Sequence, residues 1–119
     1  MRDFKRTDRL SSQIGKELSN LLIDTLPPPA DVLISITEVS LTKDLRIAKV
    51  YYSVYGDNNA IDRAENYFKD NIKRIRMELA GRIRVRFMPA LTFIYDPSIE
   101  REQRISELLN RIKKDEKQG

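Results

Sequence analysis

The chain contains no cysteine, no histidine and no tryptophan. Without cysteine it has neither a disulfide framework nor a thiolate metal site. Without histidine it lacks the commonest metal ligand and the side chain best suited to acid–base work near neutral pH. Hydrolase triads, thiol enzymes and zinc chemistry are thereby excluded. The apolar runs are short and interrupted by charge, so no segment reads as a membrane span. There is no glycine-rich phosphate loop and no Walker pattern. The opening residues, Met1 to Lys5, carry charge with no apolar stretch behind them, which predicts no secretory signal and a cytoplasmic location. Carboxylates could still hold Mg²⁺ or act as an acid–base pair, but the sequence describes a protein that binds rather than reacts.

What is present fits one domain. The 119 residues are 40% hydrophobic and 34% charged, enough for a single core and not the composition of a disordered chain. Residues 1–114 are expected to form that domain and 115–119 a disordered tail. The net charge is +4. Its placement says more than its size. Residues 69–86 carry seven basic and two acidic side chains, so +5 is concentrated there while the remainder sums to −1. A positive excess gathered into one segment is the footprint expected for a nucleic-acid partner; its plainer reading is a solvated helix face.

Hydrophobic periodicity gives the layout. Leu10, Ile14, Leu18 and Leu21 recur at helical spacing and predict a first helix over 7–24, ended by Leu26-Pro27-Pro28-Pro29. That proline run reads as a stiff connector. Residues 32–41 predict a strand whose apolar phase shifts after Ile36, placing a bulge near Thr37-Glu38 or burying both faces. A turn at Thr42-Lys43-Asp44 leads to a second strand with Ala48, Val50, Tyr52 and Val54 on one side, and an antiparallel hairpin is the simple pairing. After Gly56-Asp57, Asn58 or Asn59 is a candidate helix cap. Ile61, Ala64, Phe68, Ile72, Ile75, Leu79 and Ile83 then keep helical rhythm, as one long helix or as two meeting at a kink. Leu91 to Tyr95 predicts a third strand, and Asp96-Pro97 starts a last helix with Ile105, Leu108, Leu109 and Ile112 as its stripe. The order α-β-β-α-β-α is an α+β layout, with a three-stranded sheet covered by helices on one face.

Lys69, Lys73 and Arg76 share a helical face, Arg74 is read as lying next to it, and Arg82, Arg84 and Arg86 extend the positive charge towards Pro89. A row of cations meets the repeating phosphates of a nucleic acid, and arginine's planar fork suits bidentate contacts. Arg6 and Arg9, with Lys16, form a second basic stripe on the first helix. Tyr51 and Tyr55 are candidates for base stacking or for ordinary strand packing. Asp44, Asp96 and Glu100 stand near turns without the spacing of a catalytic or metal-binding pair.

The segment Ile83-Arg84-Val85-Arg86-Phe87-Met88-Pro89-Ala90-Leu91-Thr92-Phe93-Ile94-Tyr95-Asp96 follows Ile75-Arg76 and Leu79. Together with Arg6-x-x-Arg9, Glu17-Leu18, Asp44-Leu45, Ala48-Lys49-Val50-Tyr51 and Arg104-Ile105, it resembles the bacterial ribosome-binding factor A family. The resemblance runs from Arg6 to about Ile112. It implies a single KH-like domain of the second type, α-β-β-α(kinked)-β-α, monomeric and without catalysis or cofactor. It also implies a cytoplasmic assembly factor for free 30S small ribosomal subunits and their 16S rRNA, helping late maturation and 5′-end processing, notably in the cold, with other assembly factors as further partners. A permanent ribosomal or generic KH-type RNA-binding protein is the alternative. Related KH domains hold RNA with a Gly-x-x-Gly loop, and this family has an Ala-x-Gly kink instead. Here Asn71-Ile72-Lys73 occupies that place, with neither alanine nor glycine.

Overall fold

The computed structural model describes residues 2–97, with side chains from Arg6 onwards. The expected C-terminal helix beyond Pro97 and the tail 115–119 lie outside the described residues. Within them the order is α1 (Arg2–Asp24), β1 (Val32–Leu41), β2 (Ile47–Gly56), α2 (Ala60–Arg82) and β3 (Ala90–Tyr95).

The strands form one mixed sheet in the order β1-β2-β3. The short turn after β1 permits only an antiparallel return, and β1 pairs with β2 that way. Between β2 and β3 the chain crosses over through α2, so β3 can lie parallel to β2, with Val50 opposite Phe93. Hydrophobic periodicity carries no information on the direction of this second pairing.

The phase shift in β1 is a bulge. Ile36 pairs with Tyr52 and Glu38 with Tyr51, leaving Thr37 as the extra residue. Val39 and Leu41 thereby return to the side of Val50 and Ala48. Both helices cover this side. α1 packs chiefly on β1, and α2 on β2 and β3. Ile14, Leu18 and Leu21 of α1 meet Ala64, Phe68, Ile75 and Leu79 of α2 and Val50, Tyr52 and Val54 of the sheet in one core. The opposite sheet face is open, with Leu33 and Tyr55 exposed.

Three local expectations change. First, α2 is one uninterrupted helix, so the two-helix alternative is not realised at Asn71-Ile72-Lys73. Its apolar stripe never changes phase, and the Asn71 side-chain amide donates to the Tyr67 carbonyl one turn back at 2.8 Å. Second, Asn59 is the residue before α2, but its side chain makes no capping hydrogen bond, and its φ of −101° and ψ of 3° are not those of an N-cap. Asp57 organises the turn instead, its carboxylate accepting from the Asn59 N–H at 3.0 Å. Third, the turn read at Thr42-Lys43-Asp44 runs on through Leu45, which is left-handed with φ 59°, to the start of β2 at Ile47.

Gly56 is required by a close approach. A Cβ there would lie 2.7 Å from Cβ of Ala60 and 2.9 Å from the Asp31 carbonyl oxygen.

Candidate nucleic-acid interface

The basic segment begins on α2, where about 100° of rotation per residue decides which way each side chain faces. The buried stripe through Phe68, Ile75 and Leu79 divides the helix surface into two flanks. Lys69, Lys73 and Arg76 fall on the flank beside β3. Arg74 falls on the other, with Tyr67 and Glu78, so the expected grouping of Arg74 with Lys69 and Arg76 is not what the helix produces. The same rotation arithmetic on the sequence would have found this.

On the β3 side, Lys69 borders a cleft of about 230 Å³ between α2 and β3. Its wall is aromatic. Phe68 and Phe93 stack with centroids 4.1 Å apart, and Tyr52 and Tyr95 complete the cluster. Burial pushes the Tyr52 hydroxyl up to about 12, with the nearby Glu65 and Tyr95 adding to it. Lys69 and Lys73 are exposed and make no ion pair among the described residues. Arg76 is engaged. Its Nη2 donates to the Met88 carbonyl at 2.9 Å and its Nε to the Pro89 carbonyl at 3.4 Å, bracing the segment that leads into β3.

That segment, residues 83–89, alternates without being a strand. Ile83 and Pro89 are buried, and Val85 and Met88 pack against the core. Arg84, Arg86 and Phe87 point outward and are exposed. The Arg86 guanidinium lies 5.6 Å from the centre of the Phe87 ring. Arg84 and Arg86 have no ion-pair partner among the described residues.

Arg82 is placed differently. Its Nη2 lies 2.7 Å from Oδ1 of Asp24 and 2.7 Å from the Thr25 hydroxyl, and Glu17 is 3.9 Å from Nη1. The guanidinium holds the Asp24 carboxyl below the usual carboxylate range, helped by the Thr25 hydroxyl, and Asp24 in turn raises Arg82. Arg82 ties α2 to the end of α1. No local pattern signals this tie, because the partners are 58 residues apart.

Arg6 and Lys16 border an open groove of about 1330 Å³ between α1 and β1, and Arg9 is exposed on the same helix. β1 and β3 are opposite edges of the sheet, so this stripe and the Lys69–Lys73 face are separate surfaces. Tyr55 is exposed and Tyr51 half-buried on the open sheet face. Asp44 is a turn residue, accepting from the Thr42 hydroxyl, which lowers its carboxyl, and from the Arg46 N–H. Among the described residues no three potential metal ligands gather, and no helix is long and apolar enough to cross a membrane.

A mixed three-stranded sheet with its helices on one face, and free cations beside the helix–strand cleft at its parallel edge, defines an α+β domain of the KH-like kind. Solved structures share this fold. A crystal structure of ribosome-binding factor A from Thermus thermophilus matches with a TM-score of 0.64 at 24% identity, over 75% of this chain and 93% of that one. A solution structure of a Thermotoga maritima protein matches at 0.63 and 27%, over 75% and 85%. The sequence profile of ribosome-binding factor A fits residues 6–109. The family member from Caldicellulosiruptor bescii is 41% identical over 112 residues, 92% of this chain and 85% of its own. The one from Nitrosomonas eutropha is 38% identical over 109 residues, 92% and 93%. The chain belongs to the ribosome-binding factor A family.

Proposed function

We propose that this chain is a non-catalytic, cytoplasmic assembly factor that binds free 30S subunits through 16S rRNA and assists late maturation, including 5′-end processing. The observation that carries the reading is the set of unpaired cations, Lys69, Lys73, Arg84 and Arg86, around the α2–β3 cleft and the braced segment after it. Cations without carboxylate partners are free to displace counterions from phosphates, and backbone contacts position a protein on RNA without reading sequence. A homology model of the Thermus thermophilus ribosome binding factor A has been fitted into a cryo-EM map of a 30S complex. That precedent supports the same kind of partner here. Arg6 and Arg9 would provide a second, weaker contact from the other edge, Arg74 would contribute to the overall field, and Arg82, paired with Asp24, would act on the fold instead.

Sedimentation provides the test. The protein should travel with free small subunits and be absent from translating ribosomes, and its loss should leave 16S rRNA with an unprocessed 5′ end. Equal occupancy of translating ribosomes would instead indicate a permanent ribosomal protein. Crosslinks from Lys69 and Lys73 should map to rRNA; their absence would remove this face from the interface.

A further inference from the structure

Phe87 is 79% exposed, the most exposed large hydrophobic side chain among the described residues. A phenyl ring held in water forgoes the stabilisation that burial gives, and Phe87 has no core role. Its backbone, however, is held firmly. Val85 and Met88 pack against the core, Pro89 is fully buried, and Arg76 binds the carbonyls of both Met88 and Pro89. The ring therefore projects from a fixed support.

Its surroundings are cationic. From Leu79 to Tyr95 the sequence has no acidic residue, while Arg82, Arg84 and Arg86 all fall there. Arg84 and Arg86 are exposed without ion pairs, and Arg86 sits against the ring. A protein-docking aromatic is expected within an apolar patch that excludes water. Here the exposed group shown against the ring is the Arg86 guanidinium, and Arg84 is exposed three residues earlier in the chain. A flat ring flanked by cations suits an unpaired base with a phosphate on either side, since every base offers a π face. Tyr55 is nearly as exposed but lies at the far end of β2 from Ile47, the partner of Ala90, beside the exposed Leu33 on the open sheet face and followed by Asp57.

We propose that Phe87 is a stacking platform for one unpaired RNA base, with Arg84 and Arg86 holding the adjoining phosphates. This rests on the RNA-binding reading above.

The sequence has no tryptophan, so Phe87→Trp introduces a single fluorescent reporter at an exposed position. The probes are a labelled single-stranded RNA of mixed sequence and its duplex, with binding read by anisotropy and stacking by indole quenching. The single strand should quench the Phe87→Trp emission and the duplex, at equal saturation, should not. Phe87→Leu should weaken single-strand binding by about tenfold with the salt slope unchanged, and Phe87→Tyr should restore it. Saturable binding with unmoved emission and wild-type affinity in Phe87→Leu would overturn the platform while leaving RNA binding intact. Failure of the wild-type protein to bind RNA at low salt would overturn both. Because the chain has no cysteine, a crosslinker attached at Phe87→Cys addresses one site. Crosslinks to ribosomal protein rather than rRNA on small subunits would overturn the proposal in favour of a protein contact.

Discussion

On one flank of α2, Arg63 is paired with Asp31, Tyr67 donates to the Leu26 carbonyl, and Arg82 is bound to Asp24. On the other, Lys69 and Lys73 are exposed and make no ion pair among the described residues, while Arg76 binds the Met88 and Pro89 carbonyls. Both flanks are built from one continuous helix and both carry cations. What separates them is what faces them. The Arg63–Arg82 flank is turned to α1 and the loop after it, where carboxylates and carbonyls wait; the lysine flank lies beside the α2–β3 cleft, where few carboxylates face it. A count of charge along the segment therefore overstates what is available to a ligand. On the former, Arg63 and Arg82 tie the fold together while Arg74 stays exposed; on the latter, Arg76 braces residues 88 and 89 and the two lysines carry no ion pair among the described residues.

The largest effect should come from removing what both flanks share. Phe68→Ala empties the stripe between them and should cost about 3–5 kcal/mol, read by chemical denaturation. RNA binding should fall only as far as folding does. A stable Phe68→Ala protein would mean that the aromatic cluster is not the support described.

The flanks themselves come next. Lys69→Ala with Lys73→Ala should leave the denaturation midpoint unchanged and lower the slope of log affinity against log salt by roughly 1.5. Arg82→Ala should do the reverse, lowering Tm by a few degrees while keeping the salt slope. If Arg82→Ala flattened the slope, the division between structural and ligand-facing cations would fail.

The smallest effect is one of pH. The Asp24 carboxyl is lowered in the folded chain, chiefly by Arg82, so its contribution is fully present above the ordinary carboxylate value of about 3.9. It should disappear as pH falls through the lowered folded value. Acid unfolding should therefore start at higher pH in Asp24→Asn than in wild type. Identical acid curves would show that the tie carries no stability.

Much of this arrangement is legible in the sequence because it depends on near neighbours. The stripes of α1 and α2, the hairpin and the bulge at Thr37 all follow from spacing within a few residues. Chain rotation alone also moves Arg74 off the Lys69 face. The parallel pairing of β2 with β3 was not legible, since it depends on where α2 delivers the chain. Nor was the role of Arg82, whose partner Asp24 is brought to it by the packing of α1 on α2. Asn59 shows a different failure: its residue type suits a cap, but the turn made by Asp57 gives it the wrong backbone angles.

The Arg76 brace has a thermodynamic consequence. Its two carbonyl contacts fix residues 88 and 89 before any ligand arrives, so the ordering entropy of that segment is lost on folding and not on association. Binding through Arg84, Arg86 and Phe87 should then resemble docking onto a rigid surface. Its heat-capacity change should match the area covered, without the excess that accompanies coupled folding.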